Sequence, residues 1–564
     1  GPSLKSIFKK ILQTLKTCGI KNKTIVIIIS SSIITIFFEI LGIGIFIPVI
    51  EILSSEESQI TYFGKTILIE SYDKKTIYKF MAAFVFFVMF LKSSVLILNS
   101  YIVARFWSLV NEKVSVSIYK NILGLDYKSF TKKNNMTFSN IVVVEAEKFT
   151  ELTKYSLVFF VEIFVLITLS ILLFSYNFMS SLVVFVFLTI ILIIIYYLSK
   201  GRTQLWGTER QFHQNDLQNN VKSGLMSYLS IHINGGLDYF LNSVETSLSN
   251  RNSFIRRQFI FENIPRNILE LSGIIVLIII AITLNSFANI RMNEILSFMG
   301  FLGISFYRIL PSINRLISSF NQIYFLNAAL EIIRNYLNQP KKYVKTTNNI
   351  RFKSSIIFEN VSFSFDKKKK ILDNISFELK KGEILGIFGK SGVGKSTLIK
   401  LLMGIIRPSK GNIIIDSLNL NTFRFSSLNS IFGYVEQNVR IFSAKLYENI
   451  IVSEKIPNNK LDWYNKVIKI CQLQELDESM RNEYLVEDGH NLSGGQIQRI
   501  GLARALYKNP PVLVLDEFSS ALDTENKNRI VKSIKEISAK MGTSIVIISH
   551  DNSLKAITDK IINL

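Results

Sequence analysis

The sequence predicts a chain in two parts: a membrane domain of about six helices, followed by a soluble α/β domain built around a phosphate-binding loop. Three observations support this fold class. The 564 residues exceed the size at which a single hydrophobic core stops growing, about 250–300 residues. Hydrophobic residues make up 48% of the chain, which is high for a soluble protein, whereas 19% charged residues are too many for one lying wholly in lipid. The third observation is a glycine-rich motif in the second half.

The glycine-rich motif, Gly389–Ser396, fits the pattern G-x-x-x-x-G-K-[ST] at every fixed position. The apolar run Ile384–Phe388 before it predicts a buried strand, and Thr397–Leu402 after it predicts a helix. In such a strand, loop and helix, backbone N–H groups turn toward one anion and the helix dipole adds positive charge. Lys395 then reaches the outer phosphates of a nucleotide, and Ser396 offers its hydroxyl to Mg²⁺. The alternative is a glycine-rich turn in a parallel sheet.

The formal net charge of +22 is compatible with a nucleic-acid partner. The Lys and Arg residues, however, are spread along the chain, and in the first half they gather where cytoplasmic loops of a membrane protein would lie. The positive-inside rule and anionic lipid headgroups explain this charge better, so we expect membrane lipids and no nucleic acid as partners. The two cysteines, Cys18 and Cys471, have no metal-ligand neighbours, and neither a disulfide framework nor a zinc site is predicted.

Several lysines precede the first long apolar stretch, which runs from Ile25 to about Leu53 and exceeds the ~20 residues needed to span a bilayer. Their charge predicts a cytoplasmic N-terminus. The segment that follows is acidic and contains Thr61–Ile69, for which a short interfacial helix and a plain extracytoplasmic loop are both open. Gly1–Ser3 resembles the remnant of an expression tag, and no cleavable signal peptide is predicted.

Five further apolar stretches complete the predicted membrane domain. They lie at about Tyr78–Val103, Leu157–Phe174, Phe178–Leu198, Ile268–Leu284 and Ile295–Ile317. The even number of spans returns the second half of the chain to the cytoplasm. The inner connections, about Phe106–Lys154 and Ser199–Arg257, are long, polar and amphipathic, so we expect the helices to continue into the cytosol. Each contains a turn, near Gly124–Lys133 and near Asn234–Tyr239, that is suited to touch a cytoplasmic domain.

Three basic residues in or beside the predicted spans are candidates for a function, because an unpaired charge costs about 2.5–3.5 kcal/mol at the centre of a membrane helix. They are Lys92, Arg266 and Arg308. At ~1.5 Å per residue from the outer ends, Lys92 and Arg308 lie ~21 Å deep and Arg266 lies ~28 Å deep. One interpretation is a water-filled cavity with basic walls for an anionic cargo. The other is internal salt bridging, as between Arg266 and Glu270 four residues later.

The composition shifts near residue 345, which we predict as the boundary between a membrane domain of residues 1–345 and an α/β domain of residues 346–564. Ile356–Phe365 and Ile371–Leu379 predict the first two strands of the second domain. The charged residues between them, Asp366–Lys370, predict a solvated turn.

From the phosphate-binding loop onward, the order of motifs resembles the ATP-binding cassette exporters, and the resemblance covers essentially the whole chain. Leu492–Gln496 reads L-S-G-G-Q, the signature of that family, without a change. The resemblance implies a six-helix exporter-type membrane domain followed by an ATP-binding cassette domain that binds ATP and Mg²⁺ and hydrolyses the ATP. It also implies that the signature acts on ATP held by a second subunit, through Ser493, Gly494, Gly495 and Gln496. A homodimer is the simplest prediction, and a heterodimer stays open.

Two carboxylates follow the apolar strand Val512–Leu515, as needed for one acid on Mg²⁺ through water and a second that activates water. Asp516 takes the first role and Glu517 the second. The resemblance makes Gln437 a ligand or orienter of Mg²⁺ and the attacking water, and His550 the histidine near the γ-phosphate. It places Asp523 at the dimer seam. It assigns the remaining ATP contacts to Gly389, Ser391, Gly392, Gly394, Lys395, Ser396 and Thr397.

Some positions depart from the pattern of the family. Phe365 stands where a Tyr commonly stacks on adenine, and a Phe ring can stack equally well. Phe518 and Lys445 replace a usual small residue and a usual Thr, away from the phosphate chemistry. The family normally continues beyond the position of Leu564, so we expect a C-terminal helix to be missing or disordered.

Further matches resemble the bacterial flippases of lipid-linked oligosaccharides of the PglK type. They lie at Lys92 and Arg105, in Pro265–Glu270 and in Tyr307–Arg315. In those flippases, basic residues at such positions line the cavity that receives pyrophosphate and glycan. The resemblance implies a polyprenyl-pyrophosphate glycan as cargo and the bacterial inner membrane as location. Lys92 stands where Arg is usual, which keeps the charge but loses the bidentate fork.

Three other functions compete with this one. An exporter of drugs, peptides or other lipids, such as a flippase of lipid A type, shares the fold but is weakened as an alternative by the cationic cavity. A soluble cassette ATPase of DNA repair is excluded by the predicted spans. A cassette-regulated channel would show ATP-gated current without stoichiometric turnover.

Overall fold

The computed structural model describes residues 2–339 and 352–564, apart from 45–58, 63–64, 69–73, 134, 177, 200, 288–291, 365–369, 391, 421–427, 429, 481–482, 487–488, 490 and 519–523. For some further helical residues, 301–308 among them, only the backbone is described. The chain forms two compact units. Unit 1 comprises Gly1–Leu123 and Lys132–Pro340, and unit 2 comprises Gly124–Thr131 and Lys341–Leu564. The predicted boundary near residue 345 lies outside the described residues.

Unit 1 is mostly helical, and each predicted span falls on one of its helices. In chain order the helices up to residue 338 are α1 (Leu4–Thr17), α2 (Asn22–Gly44), α3 (Lys74–Leu123), α4 (Tyr127–Thr131), α5 (Asn135–Asn140), α6 (Ala146–Tyr176), α7 (Phe178–Ser199), α8 (Arg202–Met226), α9 (Tyr228–Asn234), α10 (Leu237–Phe287) and α11 (Met292–Asn338). Helix α4 belongs to unit 2, and a π-helical turn, Ile141–Glu145, joins α5 to α6. The predicted end of the first span, residues 45–53, lies outside the described residues.

The outward faces of these helices are suited to lipid. Over the residues whose side chains are described, three helical stretches are long and apolar enough to cross a membrane: Tyr78–Leu123, Asn135–Ile171 and Ile309–Asn338. Asn22–Phe38 is a shorter apolar helix. Phe86 and Ile97 on α3 are each 72% exposed. Continuous apolar surface of this kind is stable in a bilayer, where helices satisfy all backbone hydrogen bonds internally.

The long helices also extend well past the thickness of a bilayer, as predicted from the polar inner segments. Helix α10 has 51 residues and α11 has 47, whereas ~20 residues span the hydrocarbon layer. Helices α8 and α11 pack closely at Gly207, whose missing side chain makes room for the backbone carbonyl of Phe325. The two predicted inner turns contain the short helices α4 and α9, the second of which ends at Gly235 and Gly236, both with positive φ.

The interfacial helix considered for Thr61–Ile69 is wrong. Strands β1 (Gln59–Tyr62) and β2 (Lys65–Leu68) form an antiparallel hairpin in which Gln59 pairs with Leu68 and Tyr62 with Lys65. Apolar and polar residues alternate in β1, which is the period of a strand, and its β-branched and aromatic residues favour an extended backbone.

The described residues of unit 2 form two sheets. Its strands are β3 (Ser355–Phe363), β4 (Leu372–Lys380), β5 (Ile384–Phe388), β6 (Lys410–Ile415), β7 (Leu418–Asn419), β8 (Phe432–Val435), β9 (Val512–Asp516), β10 (Ser544–Ser549) and β11 (Lys560–Asn563). An antiparallel sheet has the order β4-β3-β6-β7, and a parallel sheet has the order β11-β5-β10-β9-β8. The predicted strands at Ile356–Phe365 and Ile371–Leu379 correspond to β3 and β4. Residue 365 and most of the predicted turn at 366–370 lie outside the described residues.

The parallel sheet forms the centre of unit 2. Strands β5, β9 and β10 are buried along their whole length, as expected for parallel strands covered on both faces. The helices around the sheets are α12 (Lys395–Leu402), α13 (Leu446–Ile451), α14 (Leu461–Ile470), α15 (Gln474–Ser479), α16 (Gly494–Tyr507) and α17 (Thr524–Met541). Parallel strands direct their carboxyl ends to one edge, where such folds bind ligands.

Candidate nucleotide-binding and hydrolysis site

Three strands of the parallel sheet end in register at the same edge. Phe388 at the end of β5 pairs with Ser549 at the end of β10, and Ile548 of β10 pairs with Asp516 at the end of β9. The residues that follow these strands are therefore neighbours. They include Gly389 of the phosphate-binding loop, His550 and Glu517.

The phosphate-binding loop depends on glycine at two described positions. Gly392 has φ +85° and Gly394, which caps α12, has φ +105°. A Cβ on Gly394 would also lie 2.9 Å from the side chain of Leu372. Both positions thus favour glycine for conformational reasons, and the loop leads into the N-terminus of a helix, where anions bind. Within that helix Ser396 is exposed and Thr397 is buried.

Lys395 is held inside the loop. Its Nζ donates hydrogen bonds to the carbonyl oxygens of Gly389, at 2.7 Å, and Lys390, at 3.0 Å. The residue is only 6% exposed. The ammonium group has a third N–H, which these two bonds do not use and which can donate to a nucleotide phosphate.

Asp516 lies buried at the end of β9, with 5% of its surface exposed. Its Oδ2 accepts a hydrogen bond of 3.1 Å from the hydroxyl of Tyr434. Burial raises the pKa of Asp516, and the charge of Glu517 adds to the effect, while Tyr434 and Lys395 oppose it. A nearby cation favours the charged carboxylate.

The donor set at this edge fits Mg²⁺, which prefers carboxylate and hydroxyl oxygens together with substrate phosphates. Asp516, through water, and the exposed hydroxyl of Ser396 would hold it, with Gln437 near by. Among the residues that the structure describes, no group of three or more His, Cys, Asp and Glu side chains forms a metal site. The phosphates of the nucleotide would therefore complete the coordination.

Glu517 sits at the centre of the predicted catalytic group. Its carboxylate accepts a hydrogen bond of 2.5 Å from Nε2 of Gln437, and its Oε1 lies 3.7 Å from Nδ1 of His550. Its φ of +47° is unusual for a residue other than glycine, and its N–H donates to the carbonyl of Ile548 at 2.9 Å. Residues held in such a conformation cluster at functional sites. The structure thus brings together the three residues predicted to be catalytic.

The signature forms a separate helix N-terminus. Ser493 caps α16: its Oγ accepts from the N–H of Gln496 at 3.2 Å, and the Gln496 side chain accepts from the N–H of Ser493 at 2.8 Å. Gly494 and Gly495 form the first turn. Because Ser493 and Gly494 are exposed, this helix end is accessible to an anion.

Two residues of the site were missed by the sequence reasoning. Tyr434 was assigned no role, although a tyrosine in a buried apolar strand needs a partner for its hydroxyl. Gln498, buried in α16, donates from Nε2 to the carbonyl of Gln437 at 3.0 Å and so links the signature helix to the segment that carries Gln437. Gln498 and Gln437 lie far apart in the sequence, so no short motif contains both residues.

Other predicted site residues stay outside this constellation. Phe365, Ser391 and Asp523 lie outside the described residues, as does the side chain of Arg308. Lys92 lies on α3 and Arg266 on α10.

Ion pairs occur among the predicted spans of unit 1. Arg266 Nε lies 3.0 Å from Oε1 of Glu270, with the two side chains 65% and 51% exposed, so the salt-bridge alternative is present. A second ion pair joins Glu162 on α6 to Arg315 on α11.

Comparison with known proteins identifies the class of unit 2. Residues 372–520 match the family model of the ABC transporter. Unit 2 therefore contains an ABC-transporter ATP-binding domain, consistent with ATPase activity. The whole chain has the fold of an ABC exporter, since it superposes on a bacterial Atm1-family ABC exporter with ATP bound, with a TM-score of 0.75, over 96% of this chain and 94% of that chain. At 16% sequence identity this likeness shows the fold alone, and it confirms the predicted fold class.

Some curated relatives are named for both an ATP-binding part and a permease part. The chain is 35% identical over 250 residues to a probable ABC transporter ATP-binding/permease protein of Haemophilus influenzae, which covers 44% of each. It is 36% identical over 205 residues to an ATP-dependent lipid A-core flippase of Coxiella burnetii, over 35% of this chain and 34% of that protein. A putative export ATP-binding/permease protein of Rickettsia bellii aligns at 26% identity over 81% of this chain and 80% of its own length. The first two alignments thus span less than half of each relative.

Proposed function

We propose that this protein is a homodimeric transporter of the bacterial inner membrane that uses ATP hydrolysis to flip a polyprenyl-pyrophosphate glycan. The observation that carries the ATPase part is the contact of Glu517 with Gln437 and His550 at the strand edge that also carries the phosphate-binding loop. This edge supplies a phosphate cradle, a metal-binding carboxylate and a base in one place.

The site residues have different roles in ATP hydrolysis. The loop N–H groups and Lys395 bind the phosphates, and Mg²⁺, when bound, neutralises charge that develops on them. Glu517 takes a proton from the attacking water, which Gln437 orients. His550, on the other side of Glu517, contacts the γ-phosphate.

A second copy of the chain would complete each site. The exposed N-terminus of α16 at Ser493 offers N–H groups and a hydroxyl to an anion, and in this proposal it caps the ATP of the other subunit. An apolar tip between α8 and α10 also favours dimerisation, because a second subunit would cover it. Its exposed members are Met226, Tyr228, Leu229, Ile233 and Tyr239.

The cargo is assigned from the basic residues of the predicted spans. Lys92, Arg266 and Arg308 would face a pyrophosphate, since basic side chains at this depth attract anionic groups. Arg266 is already paired with Glu270, but both side chains are largely exposed, so a cargo phosphate can exchange with the carboxylate. The name of the relative from Coxiella burnetii favours lipid A-core as the second candidate cargo.

The test is translocation by the full chain in proteoliposomes. Glu517→Gln should lower both ATP hydrolysis and transport by about 100-fold or more, because it removes the base. Combined replacement of Lys92, Arg266 and Arg308 by Ala should abolish glycan transport but keep the ATPase. Lys120→Ala on the same helix as Lys92, beyond the predicted span, serves as control and should change neither.

The outcomes separate the parts of the proposal. Normal glycan transport by the triple variant would overturn the assignment of the cargo site. Transport of lipid A in place of the glycan would favour the second candidate. Full ATPase activity in Glu517→Gln would contradict the catalytic assignment.

A further inference from the structure

We propose that Tyr434 is a positioning residue that orients the Asp516 carboxylate for Mg²⁺. This inference rests on the proposed ATPase function and adds to it a residue that no motif assigns. It follows from the place of Tyr434 in the sheet, from its hydrogen bond and from the space around its ring.

The register of the sheet directs the tyrosine to the metal-binding edge. Tyr434 on β8 pairs with Val514 on the neighbouring strand β9, and Asp516 lies two residues further along on the same face of β9. The long phenol side chain spans this offset, and its hydroxyl lies 3.1 Å from Oδ2 of Asp516. Within the described part of the chain, Tyr434 is the only side chain that hydrogen-bonds this carboxylate.

The hydroxyl acts as a donor. A phenol is protonated at neutral pH, and an ionised carboxylate can only accept, so the hydrogen bond runs from Tyr434 to Asp516. It therefore occupies a lone pair of Oδ2 and leaves Oδ1 of Asp516 for the metal or its water ligand. A carboxylate without this bond would turn about χ2, which is a soft torsion for Asp.

The ring of Tyr434 packs against the hydrophobic core and also borders a cavity. Tyr434 lines a cavity of about 210 Å³ together with Ile405, Leu428, Phe432 and Arg504. Open space on this side leaves the ring room to move. The hydrogen bond thus sets the position of the hydroxyl, and removing the oxygen alone should leave the fold intact.

The experiment compares Tyr434→Phe with the matched control Tyr507→Phe in the full-length protein. The Tyr507 hydroxyl is buried and has no hydrogen-bond partner among the residues that the structure describes. Nucleotide binding is measured in EDTA and along a Mg²⁺ titration, and bound Mn²⁺ is observed by electron paramagnetic resonance. Hydrogen bonds to a charged group are among the stronger ones, so Tyr434→Phe should raise the Mg²⁺ concentration needed for half-maximal binding by about tenfold.

In EDTA, Tyr434→Phe should bind nucleotide within about twofold of the wild type, since no metal needs Asp516 there. The Mn²⁺ spectrum should change in Tyr434→Phe, and Tyr507→Phe should match the wild type in every assay. An unchanged Mg²⁺ requirement in Tyr434→Phe would overturn the positioning role, as would an equal loss of binding with and without metal. A wild type that does not hydrolyse ATP would instead contradict the proposed function.

Discussion

The carboxylate of Asp416 accepts several hydrogen bonds at the start of the antiparallel sheet in unit 2. It lies between β6 and β7, and its oxygens accept from the N–H and hydroxyl groups of Ser354, each at 2.7 Å, and from the N–H of Ser355 at 3.0 Å. The N–H of Lys353 also donates to it. Burial acts to raise the pKa of Asp416, but these hydrogen bonds outweigh it and hold the pKa below its ordinary value.

Asp416→Ala should lower the free energy of unfolding by about 1–3 kcal/mol, because three backbone N–H groups and one hydroxyl lose a charged acceptor. A carboxyl whose folded pKa is depressed contributes stability above its unfolded pKa, and loses it as the pH falls through the folded pKa. The difference in the free energy of unfolding between wild type and variant should therefore be largest at pH 7 and decrease below about pH 4. Thermal unfolding at both pH values and hydrogen exchange at Ser354 and Ser355 measure it.

Asp416→Asn provides the control for titration, since it keeps the shape and removes the ionisable group. Its loss of stability relative to the wild type should likewise decrease on acidification. A difference between Asp416→Ala and wild type that stays constant from pH 7 to pH 3.5 would contradict the assignment.

At the level of elements, the packing of α8 on α11 depends on a glycine. Gly207→Ala should destabilise unit 1 by about 1–3 kcal/mol, because its Cβ would collide with the carbonyl oxygen of Phe325, a backbone atom that cannot turn aside. Gly224→Ala is the matched control on the same helix, since its Cβ would meet Phe240 at an ordinary 3.6 Å. Alanine is the better helix former by about 1 kcal/mol, so Gly224→Ala should be neutral or stabilising. Thermal unfolding in detergent compares them, and equal melting temperatures would contradict this account.

Elements whose signal is continuous in sequence could be predicted. The buried strand Ile384–Phe388 and the long apolar helices are each predicted from one continuous run of residues. The hairpin at Gln59–Leu68 was not predicted, because its two strands are short and depend on pairing with each other. The same limit hid the bond of Tyr434 to Asp516, which exists only because β8 lies beside β9, a neighbour 80 or so residues away in sequence. Strand order is a property of the whole sheet.

At the scale of the whole molecule, the proposed dimer predicts how two substitutions together affect ATP hydrolysis. If the signature acts across the interface, Lys395→Ala in one subunit and Ser493→Arg in the other fall on the same composite site and leave the second site intact. The same two changes in one subunit, paired with a wild-type partner, damage both sites. The split arrangement should therefore hydrolyse ATP at a rate well above that of the combined arrangement.

Purified mixed dimers with different affinity tags allow this comparison, with wild-type and doubly mutated homodimers as limits. The reverse order of the two rates would show that each signature serves its own subunit. Equal rates would contradict a composite site.

The carbonyl bonds of Lys395 have a consequence for how strongly nucleotide can stabilise the protein. Two of the three N–H groups of the ammonium donate to the carbonyl oxygens of Gly389 and Lys390, at 2.7 and 3.0 Å, and the third can donate to a phosphate. The resting loop is thereby protected from the large penalty of a buried, unsolvated cation. The Lys395 side chain is thus ordered before nucleotide binds, so binding loses little of its conformational entropy.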